Sequence, residues 1–209
     1  MLGQTRSKLK GILLKVMKPL SFLPLTPNQF TFLAVPIAGI AAYYLIQENY
    51  FFALIFVLLA LLIDLLDGSY AEIKKQKTFF GNYFDAVTDK IVEAIIYFGL
   101  TVNYPLHAFL AFAFTMLNSY AKPRIALVIE TDNHDWPAVG ERADRLLILF
   151  IGLILINFIP VIYGFKVIEL TLALIASITF IGLIQRIQYA KKLIKKAEKE
   201  GKILKYLKK

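Results

Sequence analysis

The chain contains no cysteine, which excludes disulfides and thiolate metal sites. It is also poor in charge. Of its 209 residues only 19% are Asp, Glu, Lys or Arg, against 58% hydrophobic. A soluble domain of this size carries more charge and fewer apolar residues, and the mean hydropathy of +0.62 points the same way. The start, MLGQTRSKLKGILLKVMKPLSFL, lacks the pattern of a cleaved signal peptide, because charges interrupt its apolar residues. There is no internal repeat, and no low-complexity stretch beyond the terminal lysines. A net charge of +9 would suit nucleic acid only as a basic patch on a polar surface. Here the basic residues flank apolar runs instead, which follows membrane topology and gives no nucleic-acid partner.

What is present is a series of apolar segments long enough to cross a hydrocarbon core of about 30 Å, which takes about 20 helical residues. The expected fold is all-α, an integral membrane domain spanning residues 1–209, with six transmembrane helices. Residues 1–22 interleave Arg6, Lys8, Lys10, Lys15 and Lys18 with apolar positions at helical spacing. They predict an amphipathic helix on an anionic membrane surface, the alternative being a frayed basic tail. Thr26 before Pro27 reads as a helix start. Spans are expected at about 28–46, with a kink at Pro36, then 50–66 continuing toward Ile73, 82–102, 105–129, 142–162 and 166–188. Residues 189–209 form a lysine-rich tail, helical at first. Lys74, Lys75, Lys77, Lys122, Arg124 and Arg142 gather in alternate connections, whereas the opposite loops hold only Lys166. This bias orients both termini toward the cytoplasm of a multi-pass cell-membrane protein.

Four acids break the pattern. Asp64 and Asp67 end one apolar run, and Asp85 and Asp89 precede the next. Spacings of three and four put each pair on one helix face. Ionisable residues in a membrane span are costly and are functional candidates by default. Four carboxylates in a partly dry site protonate or recruit cations, and clustered oxygen ligands favour hard ions such as Mg²⁺ or Mn²⁺. Such ions suit a phosphate-bearing substrate. The bland alternative is that the acids are solvated helix ends. A further alternative is an ion path through a cation transporter, though the bunching of the acids near one face argues against it.

The pattern Asp64-x-x-Asp67-Gly68-x-x-Ala71, then Gly81-x-x-x-Asp85-x-x-x-Asp89, resembles the signature of the CDP-alcohol phosphotransferase family. One position departs: the family carries arginine after the alanine, and this chain has Glu72. Lys74, Lys75 and Lys77 are candidate substitutes. The resemblance implies a homodimeric enzyme that moves a phosphatidyl-type group from a CDP-lipid to an alcohol, releasing CMP. It implies two divalent ions held by Asp64, Asp67, Asp85 and Asp89, with Asp89 also the general base. It further implies that Asn28, Thr31, Gly68, Ala71, Thr78 and Gly81 surround the CDP-lipid. Each of these alone also reads as a packing or capping residue.

Lys122 and Arg124 close the fourth span, and Arg142 and Arg145 open the fifth. Guanidinium forks suit a phosphate monoester, and positive-inside decoration fits the same residues. These stretches, with Gln185-Arg186, resemble the branch of the family that makes phosphatidylinositol phosphate and archaetidylinositol phosphate. The resemblance therefore implies inositol phosphate as acceptor, with glycerol phosphate, serine and free inositol as alternatives. Asp132, His134 and Asp135 sit in a polar loop, where a solvated turn outweighs a metal site.

Overall fold

The structure is a computed structural model that describes residues 11, 13–14, 17–130, 136 and 138–204. Most of the surface-helix segment therefore lies outside the described residues, as do Asp132, His134 and Asp135. Among the described residues there are six long helices: α1 Pro27–Ile46, α2 Tyr50–Ile73, α3 Phe79–Thr101, α4 Pro105–Arg124, α5 Arg142–Ile156 and α6 Val167–Lys199. The chain divides into two compact units, residues 1–100 and 101–209.

In the first unit, α1 starts at a capping box. The Thr26 hydroxyl accepts from the Gln29 amide, the Gln29 side chain accepts from the Thr26 amide, and Pro27 follows. The helix is interrupted at Leu33, three residues before Pro36. The proline has no N–H to continue the ladder, and the neighbouring bond from the Ile37 amide to the Leu33 carbonyl is stretched to 3.5 Å. This is the expected kink. Along α1 beyond Leu33 the buried residues are Ala34, Ala38, Ala41, Ala42 and Leu45, and α2 answers with Ala53, Val57 and Ala60. Phe51, Ile55, Leu58, Leu62 and Leu65 of α2 point outward. Small residues inside and large apolar residues outside is the pattern of helices packing in lipid, where the outer face needs no burial. A Cβ on Gly99 of α3 would lie 2.7 Å from the Ala42 Cα, so only glycine permits that approach.

A short 3₁₀ turn, Lys18–Phe22, precedes α1. The Tyr70 hydroxyl shares its proton between the carbonyls of Leu23 and Leu25 at 3.2 and 3.0 Å, and the Lys74 ammonium donates to Leu23 at 2.8 Å. Phe30 stacks on Tyr70 with ring centroids 4.5 Å apart. These contacts tie the entry to α1 onto the end of α2.

In the second unit, α4 buries Ala108, Ala111, Thr115 and Asn118, and α6 buries Thr171, Ile175, Thr179, Gly182 and Arg186. Three boundaries differ from expectation. The α4 helix stops at Arg124, just after Pro123, and a 3₁₀ turn carries the chain on to Leu127. The α5 helix stops at Ile156, where the Asn157 side chain donates to the Leu153 carbonyl and Pro160 prevents continuation. The apolar residues after it pair instead as a hairpin, β1 Val161–Ile162 with β2 Phe165–Lys166. Its turn is Tyr163-Gly164, both at positive φ. The last helix runs unbroken for 33 residues, about 50 Å. Its final turns leave the apolar stretch and pack Ala197, Ile194 and Leu193 on Ile125, Ile129 and Trp136.

Helices α1, α2 and α6 are long and apolar enough to cross a membrane. Polar residues interrupt α3 and α4, and α5 has 15 residues, about 22 Å.

Candidate active site

The first unit brings the acids together. Asp64 of α2 and Asp85 and Asp89 of α3 each present a carboxylate oxygen, and these oxygens lie within 4.8 Å of one another. All three are half-buried. Three anionic oxygens at that spacing, with no thiolate or imidazole among them, match the donor set of a hard divalent cation. Asp67, three residues beyond Asp64 on α2, is held by a different partner. It is buried, and its Oδ2 accepts the Thr31 hydroxyl at 2.8 Å. Thr31 reaches it because α1 passes the C-terminal end of α2, where the Tyr70 contacts fix the chain.

Beside the acids lies a cleft of about 260 Å³. Its walls hold Asp67 and Asp85 together with Asn28, Thr31, Gly68, Ala71, Thr78 and Gly81. Every residue assigned to the CDP-lipid from sequence therefore lines one cavity. Two local features make this a place for an anion with bulk. First, Thr78 caps α3 by accepting from the Gly81 amide at 2.9 Å, so the positive end of a 23-residue helix opens into the cleft. Second, a Cβ on Gly68 would meet no atom within 4 Å, although its helix is packed on both sides of that turn by buried Asp67 and Ser69. That space is open to a ligand. At Asn28 the polar cleft adjoins an apolar groove of about 440 Å³ lined by Leu25, Phe32, Leu33 and Phe84. Polar cleft and apolar groove together suit a molecule with a charged head and a hydrocarbon tail.

Sequence reasoning missed Gln76 and Asn82 as cleft residues and named Lys77 only as one of three candidates. They belong to the connection and the first turn of α3, whose course depends on how Lys75, at positive φ, reverses the chain.

The second unit holds the basic constellation. Arg145 is buried and donates to the Gly140 carbonyl at 2.8 Å and to the Ser119 hydroxyl at 3.4 Å. Arg142 and Lys122 are half-buried, whereas Arg124 is exposed in a groove with Arg186 and Lys191. Arg186 was the least expected member. It is buried, donates to the Asn118 carbonyl at 2.5 Å and pairs with Glu141 at 3.0 Å. Its Nε and the Asn118 Oδ1 are buried without a hydrogen-bond partner among the described residues. A buried donor left unmatched costs free energy unless a ligand or water meets it. The signal in the sequence was an arginine inside an apolar helical run.

The chain resembles known proteins over most of its length. The chain is 29% identical over 194 residues to the archaetidylinositol phosphate synthase of Pyrococcus horikoshii, covering 92% of this chain and 97% of that one. Its fold matches the phosphatidylinositol phosphate synthase of Mycobacterium tuberculosis. The crystal structure with CDP-DAG bound gives a TM-score of 0.72 at 23% identity, over 86% of this chain and 93% of that chain. The structure of the same enzyme with manganese and citrate gives 0.73 at 22% identity, over 85% and 88%. The family model for CDP-alcohol phosphatidyltransferase matches residues 24–182, from just before the capping box of α1 to Gly182 of α6. The chain belongs to the CDP-alcohol phosphatidyltransferase family and is a membrane transferase of phospholipid biosynthesis.

Proposed function

We propose that this enzyme transfers the phosphatidyl-type group of a CDP-lipid, CDP-archaeol or CDP-diacylglycerol, to a hydroxyl of inositol phosphate and releases CMP. The observation that carries the donor half is the single cleft lined by all six residues picked for the CDP-lipid, adjoining an apolar groove at Asn28. The diphosphate lies toward Thr78, Gly81 and the acids, and the hydrocarbon toward Phe32 and Phe84.

The donor set fits divalent ions, Mg²⁺ or Mn²⁺. Asp64, Asp85 and Asp89 would hold them with Asp67 alongside, and two such ions supply charge neutralisation for the diphosphate and for the departing CMP. The rest of the chemistry belongs to the chain. An alcohol is a weak nucleophile at neutral pH, so it needs a base as it attacks. Asp89 takes the hydroxyl proton while the alcohol oxygen bonds to the phosphorus on the lipid side. The bond from that phosphorus to the bridging oxygen breaks, and CMP leaves with the electron pair. Thr31 holds Asp67 in place, and the N-terminal end of α3 lies toward the phosphates.

Inositol phosphate as acceptor is supported by the cations of the second unit, Lys122, Arg124, Arg142, Arg145 and Arg186. The buried, unmatched Nε of Arg186 speaks for an anion there, and the relatives are named for inositol phosphate lipids as products. The charge bias supports six crossings, with the cleft on the cytoplasmic side of the cell membrane. Assembly as a homodimer rests on the family resemblance alone.

The test is CMP release from each CDP-lipid by purified enzyme against a panel of alcohols. Inositol phosphate should support turnover, and serine, glycerol phosphate and free inositol should not. Comparable rates with serine or glycerol phosphate would overturn the acceptor assignment.

A further inference from the structure

The cleft contains two acids and, among its twelve lining residues, one cationic side chain, Lys77. It sits in the connection between α2 and α3, just before the Thr78 cap. The other lysines of that connection are engaged or turned away. Lys74 donates to the Leu23 carbonyl at 2.8 Å and lies over the Tyr70 ring, and Lys75 occupies the positive-φ reversal and does not line the cleft. Lys77 is set where it is by Glu72, whose Oε2 receives its ammonium at 2.6 Å. Glu72 lies one helical turn beyond Gly68, so it shares the face of α2 that forms the cleft wall. The Gln76 amide bonds back to the Ala71 carbonyl at 3.0 Å, and that return brings residue 77 level with residue 72.

We infer that Glu72 is a positioning residue and that Lys77 is the cation it presents to the diphosphate of the CDP-lipid. This inference rests on the donor assignment proposed above. The Lys77 side chain is 58% exposed and that of Glu72 31% exposed, so the pair is screened by water and weak. A diphosphate carries more charge and more acceptor oxygens than one carboxylate. It draws the ammonium off Glu72, and the four-carbon stem gives the reach. Without ligand, Glu72 keeps the lysine at the cleft rather than in solvent. It also keeps the ammonium from pairing with Asp67 or Asp85, which line the same cavity.

A structural ion pair that only pins the connection makes different predictions, and charge exchange separates the two. The experiment measures equilibrium binding of CDP-diacylglycerol to the detergent-solubilised full chain, together with KM for each substrate and kcat. Lys77→Ala should weaken CDP-lipid binding about tenfold, the scale of one charge-assisted hydrogen bond partly screened, and leave the acceptor KM unchanged. Lys77→Arg should recover most of the loss. Glu72→Gln should cost about threefold in the same parameter, since the cation remains but is less often in place. Lys75→Ala should bind as wild type does. The double exchange Glu72→Lys with Lys77→Glu rebuilds a pair but puts an anion at the cleft, so binding should stay at least as weak as in Lys77→Ala. Recovery by the double exchange, or wild-type binding by Lys77→Ala, would overturn the inference and leave the donor assignment standing. Failure of the wild-type chain to bind either CDP-diacylglycerol or CDP-archaeol would overturn both.

Discussion

Replacing Gly68 with alanine should raise stability and lower activity together. Gly68 lies inside α2, where glycine is about 1 kcal/mol less favourable than alanine. The added Cβ meets no protein atom within 4 Å, so no packing penalty offsets that gain. The unfolding midpoint of the solubilised enzyme should therefore rise. The same methyl group projects into the cleft, in space assigned to the CDP-lipid. Forcing one methyl into a well-fitted site costs about 1–3 kcal/mol, which corresponds to about a 5- to 150-fold increase in the CDP-lipid KM. Thermal unfolding and CMP release at varied CDP-lipid, on the same preparation, read both effects. An unchanged KM in a stabilised variant would refute the placement of the donor in this cleft. A destabilised variant would refute the claim that the space beside Gly68 is empty of protein.

Three further substitutions probe other parts of the account. Asp89→Asn should reduce CMP release to near background while CDP-lipid binding persists, and near-normal turnover would remove Asp89 as the base. Tyr70→Phe removes the hydroxyl that bridges the Leu23 and Leu25 carbonyls and should cost about 1–2 kcal/mol of stability, read by denaturation; no change would mean that Phe30 stacking and Lys74 hold the segment alone. Arg142→Ala should raise the acceptor KM and leave the CDP-lipid KM in place, whereas equal losses in both would return this arginine to topology and local pairing.

The acids were legible because their information is local. Spacings of three and four on helices fix which face a carboxylate takes, and two helices joined by a short connection bring two such faces together. The same holds for Thr26, Pro27 and the kink before Pro36, which follow from backbone chemistry alone. The hydrogen bond that holds Asp67 was not legible, because its donor Thr31 lies 36 positions away. Nor was the burial of Arg145, which read as a boundary charge, or of Arg186, until Gly140, Asn118 and Glu141 were placed around them. The end of α5 was hidden by apolar residues that continue through the hairpin. Composition registers hydrocarbon there and says nothing of the Asn157 side chain or the Tyr163-Gly164 turn. Glu72 stood out as a departure from the family pattern, and its pairing with Lys77 was not legible because it follows the chain reversal at Lys75.

The most direct test of the central claim is anomalous diffraction from crystals of the full chain grown with Mn²⁺ and a CDP-lipid. The account predicts anomalous peaks within ligand distance of Asp64, Asp85 and Asp89, with the diphosphate beside Gly68 and the start of α3. Peaks confined to other sites, or none at saturating Mn²⁺, would contradict it.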